Sequence, residues 1–303
     1  MIAENGVSPS GSGADGDRVR STGDESEAGK VHHRPTWAPD SLDLEIPSTA
    51  RMYDYYLGGS HNFAADRALA EAALQAWPET PYMCRANRDF LRRAVTFLAE
   101  SGVDQFLDLG SGIPTAGNVH EIVQAVRPES RTLYVDSDPV AFAHGTALLA
   151  DEPRAKYLQA DLRDPESILN SQLVRNFLDL SRPVAVMMLM TLHFVPDEDE
   201  PDEIVATYRQ ATAPGSYLVI THGTNEYRPD TGKITQVYTQ ASHGIVPRNK
   251  ARIGQLTAGY ELLEPGLVDV IHWRPEPQAL EHDPLGGDVA RYSTFAAVGR
   301  SKE

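Results

Sequence analysis

The feature that most constrains this fold is the alternation, after residue 102, of short strand-like runs with helical patterns. Such alternation is typical of a parallel sheet with crossover helices. The predicted strands are residues 105–109, 132–136, 156–160, 184–189 and 216–221. Two further strand-like runs follow, over 260–270, which Pro265-Gly266 interrupts, and over 293–299. The chain is therefore predicted to have an α/β fold with seven strands. The segment between the last two runs has no helical period, which leaves an antiparallel pairing open to them.

The N-terminal part has a different composition. Residues 1–34 contain no Leu and no aromatic residue and are rich in Gly, Ser, Asp and Glu, which predicts a disordered tail over residues 1–36. Helical patterns follow within residues 37–101. An Ala-rich helix is predicted to end near Trp77, and a second helix is predicted over 82–100, before Gly102. The Gly58-Gly59 pair that precedes them predicts a turn.

Charge and composition exclude several classes of function. The formal net charge is −16, and the tail contributes little of it because residues 1–34 hold six acids and four bases. An acidic folded body repels phosphate backbones and anionic lipids, so we expect no nucleic-acid partner and no membrane partner. The sequence has no apolar run of about 18 residues and no signal peptide, which predicts a cytoplasmic location. No metal site is predicted either, because the acidic run 197–200 fits a solvated loop.

A glycine-rich turn is the most informative local motif. Gly110 and Gly112 follow the first predicted strand and precede a helix, where a backbone without side chains can approach a ligand closely. Plain strand-to-helix turns also use glycine. Asp136, at the end of the second strand, is suited to a ribose diol, although it also fits a helix cap, a role equally open to Asp138. Asp161, with Leu162, follows the third strand and fits an adenine contact or an ordinary turn.

The combination of these three strand ends predicts a nucleoside ligand. A dinucleotide site usually has Gly or Ala at the position that Thr115 occupies here, so that the helix can lie against a pyrophosphate. The residues therefore favour S-adenosylmethionine (SAM), which has no pyrophosphate, over a nicotinamide dinucleotide. A protein that binds SAM or another nucleoside without catalysis would keep the same pattern, and a nicotinamide-dependent oxidoreductase fits it less well.

Several motifs of the chain resemble those of a known superfamily. Residues 108–112 (DLGSG), Asp136, residues 160–161, residues 189–195 (LMTLHFV) and residues 214–219 resemble successive motifs of class I SAM-dependent methyltransferases. More narrowly, the chain resembles an actinobacterial-type family of proposed S-adenosyl methyltransferases, formerly catalogued as a domain of unknown function. The stretches that carry this resemblance are residues 50–59 (ARMYDYYLGG), 62–67 (NFAADR), 86–94 (ANRDFLRRA), 117–120 (GNVH), 134–139 (YVDSDP) and 161–165 (DLRDP).

The resemblance implies a Rossmann-like sheet of seven strands with the last strand antiparallel and helices on both faces. It also implies that residues 37–101 form a helical cap over a SAM-binding domain of residues 102–303. Cap residues near the cofactor or acceptor would be Arg51, Tyr53, Gly58, Asn62 and Phe63, although core packing explains the tyrosines equally well. Motif residues at the cofactor would be Asp108, Gly110, Ser111, Gly112, Asp136, Ser137, Asp161 and Leu162.

The predicted reaction is methyl transfer from SAM to a small-molecule acceptor. A hydroxyl or ammonium acceptor must lose a proton, and the candidate bases are His193 and His222, which follow the fourth and fifth strands. A Leu-His pair at that place is common in methyltransferases of varied chemistry, so a role outside catalysis is open to His193. Tyr227, Tyr238 and Trp273 fit an acceptor site or the core. No motif indicates which acceptor is used or whether the chain forms oligomers.

Overall fold

A computed structural model describes residues 43–114 and 117–302. The predicted tail of residues 1–36 lies outside the described residues, and so does Thr115. Among the described residues, no helix combines the length and the apolar character that a membrane span requires.

The described chain forms an eight-stranded sheet in the order β3-β2-β1-β4-β5-β8-β6, with β7 paired to β8. Strands β1 to β5 are parallel, and β8 is antiparallel to β5, so the predicted fold class is confirmed. The strands are β1 (Gln105–Leu109), β2 (Arg131–Asp136), β3 (Ala155–Gln159), β4 (Ala185–Leu189), β5 (Tyr217–Gly223), β6 (Tyr260–Leu262), β7 (Val268–Asp269) and β8 (Thr294–Ser301).

The strand count differs from the prediction at one place. The run over 260–270 forms two short strands instead of one, because Pro265 has no N–H for a ladder and Gly266 turns the chain with a φ of +87°. Both short strands pair antiparallel to β8. The five predicted parallel strands are all present, with ends displaced by at most two residues.

Helices connect the strands and precede them. Pro81 and Pro139 lie in the first turns of their helices, where the missing N–H costs nothing. The α-helices are α1 (Thr49–Tyr56), α2 (Ala64–Ala76), α3 (Thr80–Glu100), α4 (Val119–Val126), α5 (Pro139–Leu148), α6 (Pro165–Asn170), α7 (Gln172–Phe177), α8 (Pro201–Ala211), α9 (Gly232–Tyr238), α10 (Lys250–Leu256), α11 (Pro277–Glu281) and α12 (Val289–Tyr292). The last two lie in the segment where the sequence shows no helical period.

The sheet has an apolar core on each face. Successive residues of a strand point to opposite faces, and accordingly Phe106 packs in one core whereas Leu107 packs in the other. Phe90 of α3 belongs to the first core, and Ile204 and Tyr208 of α8 belong to the second. Helices therefore cover both faces, as predicted.

The N-terminal helices form a third apolar cluster. Met52 of α1 and Leu69 of α2 pack there with Ile234 of α9, a helix that follows β5. Helix α3 takes part in two clusters, because Cys84 lies in this third cluster and Phe90 lies in the sheet core. The N-terminal helices are thus attached to the region beyond the carboxyl ends of the strands.

The strand order creates a place for a ligand. Strand β1 lies between β2 and β4, and from β1 the chain builds the sheet outward through β2 and β3 and then, in the other direction, through β4 and β5. In open α/β sheets, ligands bind in the crevice beyond the carboxyl ends of the strands where the order reverses. This crevice lies beyond β1 and β4.

Candidate active site

A cavity of about 430 Å³ occupies this crevice, and its walls come from the ends of β1 to β4, from α1, α3 and α9, and from the segment 242–247. This volume lies within the usual range for ligand pockets, roughly 300–1,000 Å³. His193 is part of the lining. The lining also includes ten of the residues predicted to contact the cofactor or acceptor, namely Arg51, Tyr53, Asp108, Gly110, Ser111, Gly112, Asp136, Ser137, Asp161 and Leu162.

Four predicted site residues do not belong to this lining: Gly58, Asn62, Phe63 and His222. The first three organise the turn between α1 and α2. Gly58 has a φ of +81°, and Asn62 donates to Asp54 Oδ2 at 2.9 Å and to the Gly59 carbonyl at 3.0 Å. The Phe63 ring lies under the guanidinium of Arg51, 5.2 Å from its centroid.

The glycine loop is shaped by two close contacts. Gly110 has a φ of +71°, and an added Cβ would lie 2.2 Å from Cγ2 of Thr191, so any other residue there would be strained and would force Thr191 to move. From β3, the Tyr157 hydroxyl donates to the Gly112 carbonyl and accepts from Ser111 Oγ, each at 2.9 Å. The Ser111 hydroxyl therefore fixes the loop.

Tyr157 was not found by sequence reasoning, although a signal for it exists. Its ring lies against Gly145 in the middle of α5, where an added Cβ would lie 2.1 Å from Cδ2 of the tyrosine. A glycine inside a helix is unfavourable by roughly 1 kcal/mol relative to alanine and therefore indicates close packing or function. Gly145 marks the space that Tyr157 needs.

Asp136 and Asp138 have different tasks. Asp138 caps α5 by accepting from the backbone N–H groups of Val140 and Ala141. Asp136 instead accepts from the N–H of Gly112 at 2.8 Å and from that of Asp138 at 2.9 Å. Each carboxylate oxygen keeps a lone pair for a further donor. Burial raises the pKa of Asp136 to about 6, against the opposing effect of these hydrogen bonds.

Asp108 is a second buried carboxyl group in the lining, with 6% of its surface exposed. Burial raises the pKa of Asp108 to about 7, the cation of Arg88 opposes this shift, and the charge of Asp136 adds to it. A cationic group placed beside a buried carboxyl group favours its ionised form and lowers its raised pKa.

The third predicted acid lies at the edge of the cavity. Asp161 is held by Arg163, whose Nη2 donates to Oδ2 at 2.6 Å and whose Nε donates to the same oxygen at 3.0 Å. Partial burial opposes ionisation of Asp161, but these hydrogen bonds outweigh it and lower its pKa. Arg163 also pairs with Asp199 at 3.1 Å, so the acidic run 197–200 is partly neutralised by arginine.

Arg51 is buried, with 2% of its surface exposed, and its guanidinium bonds to three groups of the protein. Its Nε donates to Asp66 Oδ2 at 2.8 Å, Nη1 donates to Asp138 Oδ2 at 3.1 Å, and Nη2 donates to the Ile46 carbonyl at 2.7 Å. The guanidinium thus joins α1, α2 and the turn between β2 and α5, next to Asp136.

A buried chain of hydrogen bonds starts at Tyr53. The Tyr53 hydroxyl donates to the Cys84 carbonyl at 3.1 Å and accepts from Asn87 Nδ2 at 2.9 Å. Asn87 Oδ1 accepts from Thr221 Oγ1 at 2.7 Å, and that oxygen accepts from the N–H of Met190 at 2.9 Å. Met190 lines the cavity with a φ of +54°, a strained conformation for this residue type. Asn87 and Thr221 were not identified from the sequence.

The two histidines have different surroundings. His193 lines the cavity, has 7% of its surface exposed, and its Nδ1 has no hydrogen-bond partner among the described residues. Burial, with the nearby His222 and Arg248, lowers the pKa of His193 well below its usual value, so the ring is neutral. His222 uses both ring nitrogens, since Nδ1 contacts the Gly223 carbonyl at 2.6 Å and Nε2 contacts Arg248 Nη1 at 3.0 Å.

Of the aromatic residues considered for an acceptor site, Tyr238 lines the cavity. Trp273 is fully buried in the core of the sheet. The Tyr227 hydroxyl donates to Asp269 Oδ1 at 2.6 Å.

The residues present fit SAM. Gly112 has a φ of +64°, and an added Cβ would meet no atom within 4 Å, so its backbone borders open space. Asp136, the residue predicted to bind a ribose, offers free lone pairs, and the buried Thr191 Oγ1 has no hydrogen-bond partner among the described residues. Together with the fold, this site defines a nucleoside-binding α/β protein of the methyltransferase class.

Comparison with known proteins agrees with this class. The model of the S-adenosyl methyltransferase family matches residues 35–302, and the chain belongs to this family. A structure from Thermobifida fusca YX, of a protein proposed to be a methyltransferase, is 42% identical, covers 89% of this chain and 100% of its own, and has a TM-score of 0.80. A DUF574 family protein from Streptomyces avermitilis MA-4680 is 40% identical, covers 86% of this chain and 99% of its own, and has a TM-score of 0.81. No curated protein matches.

The protein is therefore a SAM-dependent methyltransferase, and its cofactor is SAM. The expected family, fold class and cofactor are confirmed. These comparisons do not identify the individual site residues or the acceptor.

Proposed function

We propose that this methyltransferase transfers the methyl group of SAM to a small-molecule acceptor that binds in the same cavity. The observation that carries this proposal is that one cavity combines the glycine loop and the acids at the strand ends with a largely apolar wall from α1, α3 and α9. Binding both reactants in one enclosed place is what an in-line transfer requires.

Three groups of residues would hold the cofactor. Asp136 would bind the ribose hydroxyls, and Gly110 and Gly112 would let the methionine part approach the backbone. Asp161 and Leu162 would border the adenine. Asp108, with its raised pKa, would lie near a positive charge of the cofactor. Arg51 and Tyr53 would act as positioning residues, because their polar atoms are bonded to protein groups.

His193 is the proposed proton acceptor. When bound, SAM supplies an electrophilic methyl group, and an acceptor oxygen that takes this group gives up its proton. A neutral imidazole in the cavity wall with an unpartnered Nδ1 can receive a proton. His222 is less suited to this role, because both its ring nitrogens are engaged by Gly223 and Arg248.

Calorimetric titration with SAM, S-adenosylhomocysteine and NAD tests this proposal, using the Asp136→Ala variant. Hydrogen bonds to charged groups contribute about 1.5–3 kcal/mol each, so we expect the variant to bind S-adenosylhomocysteine at least about tenfold more weakly. Asp151→Ala, which removes an exposed carboxylate, is the matched control and should bind normally. Unchanged affinity of Asp136→Ala for S-adenosylhomocysteine would show that Asp136 does not bind the cofactor. Tighter binding of NAD than of SAM would contradict the cofactor assignment at this cavity.

The remaining expectations also stay proposals. The net charge of −16 supports a protein that acts without a nucleic-acid partner, and the composition supports a cytoplasmic location. The division into a cap of residues 37–101 and a SAM-binding domain of residues 102–303 is supported by the separate apolar cluster of α1 and α2. Helix α3 contributes both to this cluster and to the core on one face of the sheet.

A further inference from the structure

One side of the cavity is formed by aromatic and aliphatic side chains beyond the cofactor loop. We call this side the aromatic lobe; it consists of Tyr56, Trp77, Cys84, Phe194, Ile234 and Tyr238, all of which line the cavity and pack in one cluster. These residues come from α1, the end of α2, α3, α9 and the segment after β4. The lobe therefore exists only where these five parts of the chain meet.

The charged residues of the cavity are distributed unevenly. Those in the lining come from the segment 43–51, from Arg88 of α3, and from the ends and turns of β1, β2 and β3. None of the lining residues from the stretch 77–84 or from α9 is charged. The acid within that stretch, Glu79, is not part of the lining and pairs with Arg228 at 3.2 Å and Arg291 at 3.3 Å.

The groups of the lobe that could ionise are also neutral. Burial raises the pKa of the Cys84 thiol, and it raises the pKa of the Tyr56 and Tyr238 hydroxyls. The two hydroxyls lie 3.3 Å apart and bond to each other. A charged group entering this lobe would lose its water without gaining an opposite charge, which is strongly unfavourable.

A continuous row of rings connects the lobe with the proposed base. The ring centroids of His193 and Phe194 are 4.2 Å apart, and those of Phe194 and Tyr238 are 6.1 Å apart. His193 Nδ1 and Thr191 Oγ1, in the same segment after β4, are buried and have no hydrogen-bond partner among the described residues. Thr191 also contacts the glycine loop through Gly110. The two residues that carry these unpartnered atoms thus belong to a segment that contacts the glycine loop through Thr191 and the lobe through Phe194.

We propose that the methyl acceptor is a neutral, flat and mainly apolar molecule that carries a hydroxyl group. Its ring system occupies the aromatic lobe, and its hydroxyl lies beside His193 and Thr191. Aromatic side chains favour flat ring systems, and the two unpartnered polar atoms suit one hydroxyl that donates to the imidazole. An ammonium or carboxylate acceptor is disfavoured because the lobe offers no counter-charge. This inference rests on the proposed function, since it names the acceptor class of the same site.

Three naphthalene probes of different charge test the proposal: 2-naphthol, 2-naphthoate and the 2-naphthylmethylammonium ion. The complete chain is first saturated with S-adenosylhomocysteine, whose own binding is measured, and each probe is then titrated by calorimetry at pH 7.5. We expect 2-naphthol to bind at least about tenfold more tightly than either ion. Equal or tighter binding of an ion, or no binding of 2-naphthol to the saturated protein, would overturn the proposal. If S-adenosylhomocysteine does not bind, the proposed function fails first, and the inference fails with it.

A matched pair of variants locates the probe. Ile245 lines the cavity, is half-buried and packs against the cluster of the lobe. Ile245→Glu introduces a carboxylate there, whereas Ile245→Gln introduces a neutral side chain of the same size. We expect the Glu variant to bind 2-naphthol at least about tenfold more weakly than the Gln variant and to prefer the ammonium probe. Both should bind S-adenosylhomocysteine like the unaltered protein. Equal binding of 2-naphthol by both variants would place the acceptor elsewhere.

Discussion

Gly110 and Thr191 depend on each other because their strands, β1 and β4, are neighbours in the sheet. The glycine loop needs a residue without a side chain, since the methyl group of Thr191 occupies the place of a Cβ at Gly110. Gly112 also has a positive φ, but an added Cβ there would meet no atom within 4 Å. The two glycines therefore separate the effect of backbone strain from the effect of a steric clash.

We predict that Gly112→Ala destabilises the protein by about 1 kcal/mol, which is the usual cost of a left-handed conformation for a residue with a Cβ. Gly110→Ala should cost at least about 1 kcal/mol more, because it adds the clash with Thr191. Chemical denaturation measures both values. Adding Thr191→Ser, which removes the methyl group, should recover part of the loss in Gly110→Ala. Equal costs for the two glycine variants, without recovery, would contradict this account.

Arg51 connects several elements through one buried side chain. Its guanidinium joins two helices and the turn after β2, and its partners Asp66 and Asp138 are themselves buried. Removing one partner of a buried ion pair leaves an uncompensated charge, which is far more costly than losing an exposed pair. Arg51 therefore positions the N-terminal helices next to the proposed ribose site.

We predict that Arg51→Met destabilises the protein by about 3–5 kcal/mol, because Asp66 and Asp138 lose their buried counter-charge. The matched control is Arg67→Met, the same change at an exposed position of α2, which should cost about 1 kcal/mol or less. Thermal and chemical unfolding measure the difference. Adding Asp66→Asn to Arg51→Met should restore part of the stability, because it removes one of the two buried charges that Arg51→Met leaves uncompensated. Similar costs for Arg51→Met and Arg67→Met would show that the ion pairs contribute little.

For the whole molecule, the buried acids make stability depend on pH. The folded state raises the pKa of Asp108 to about 7 and that of Asp136 to about 6, above the usual value of about 4 for an unfolded chain. The folded state therefore binds more protons than the unfolded state between these values. The stability that these protons contribute is fully present below about pH 4 and is lost as the pH rises through 6 to 7.

We predict that Asp108→Asn, which cannot ionise, gains stability relative to the unaltered protein as the pH rises. The difference in the free energy of unfolding between the two proteins should grow by about 1–2 kcal/mol from pH 5.5 to pH 8. Denaturation of the ligand-free proteins at several pH values measures it. Asp151→Asn, at an exposed position, should show no such trend. A constant difference for Asp108→Asn would mean that Asp108 is ionised over the whole range.

The parts of the fold and site that could be predicted are those encoded within short windows. The five parallel strands, the turn at Gly110 to Gly112 and the helix start at Pro139 each follow from residue types a few positions apart. Strand periodicity and the steric freedom of glycine act locally. The Pro265-Gly266 interruption of the run over 260–270 is visible in the sequence, but only the structure shows that it divides the run into two strands, β6 and β7.

The contacts that could not be predicted join distant segments. Tyr157 reaches the glycine loop, Arg51 reaches Asp138, and Asn87 bonds to Thr221. His222 was expected to follow the fifth strand but lies within β5, whereas His193 lies beyond the end of β4 as expected, and Arg248 hydrogen-bonds to His222. No periodicity in the chain specifies which buried donor meets which acceptor, because that depends on how helices and strands pack.

The sequence by itself determined the class of fold, the family and the nucleoside-binding motifs, because these depend on hydrophobic period and on residue types at single strand ends. Only the tertiary structure decided which motif residues line one cavity, that Asp138 and not Asp136 caps the helix, and that an uncharged aromatic lobe lies beside the cofactor loop. The physical reason is that burial, and with it the pKa of an acid or the polarity of a cavity wall, is a property of packed segments that come together only when the chain folds.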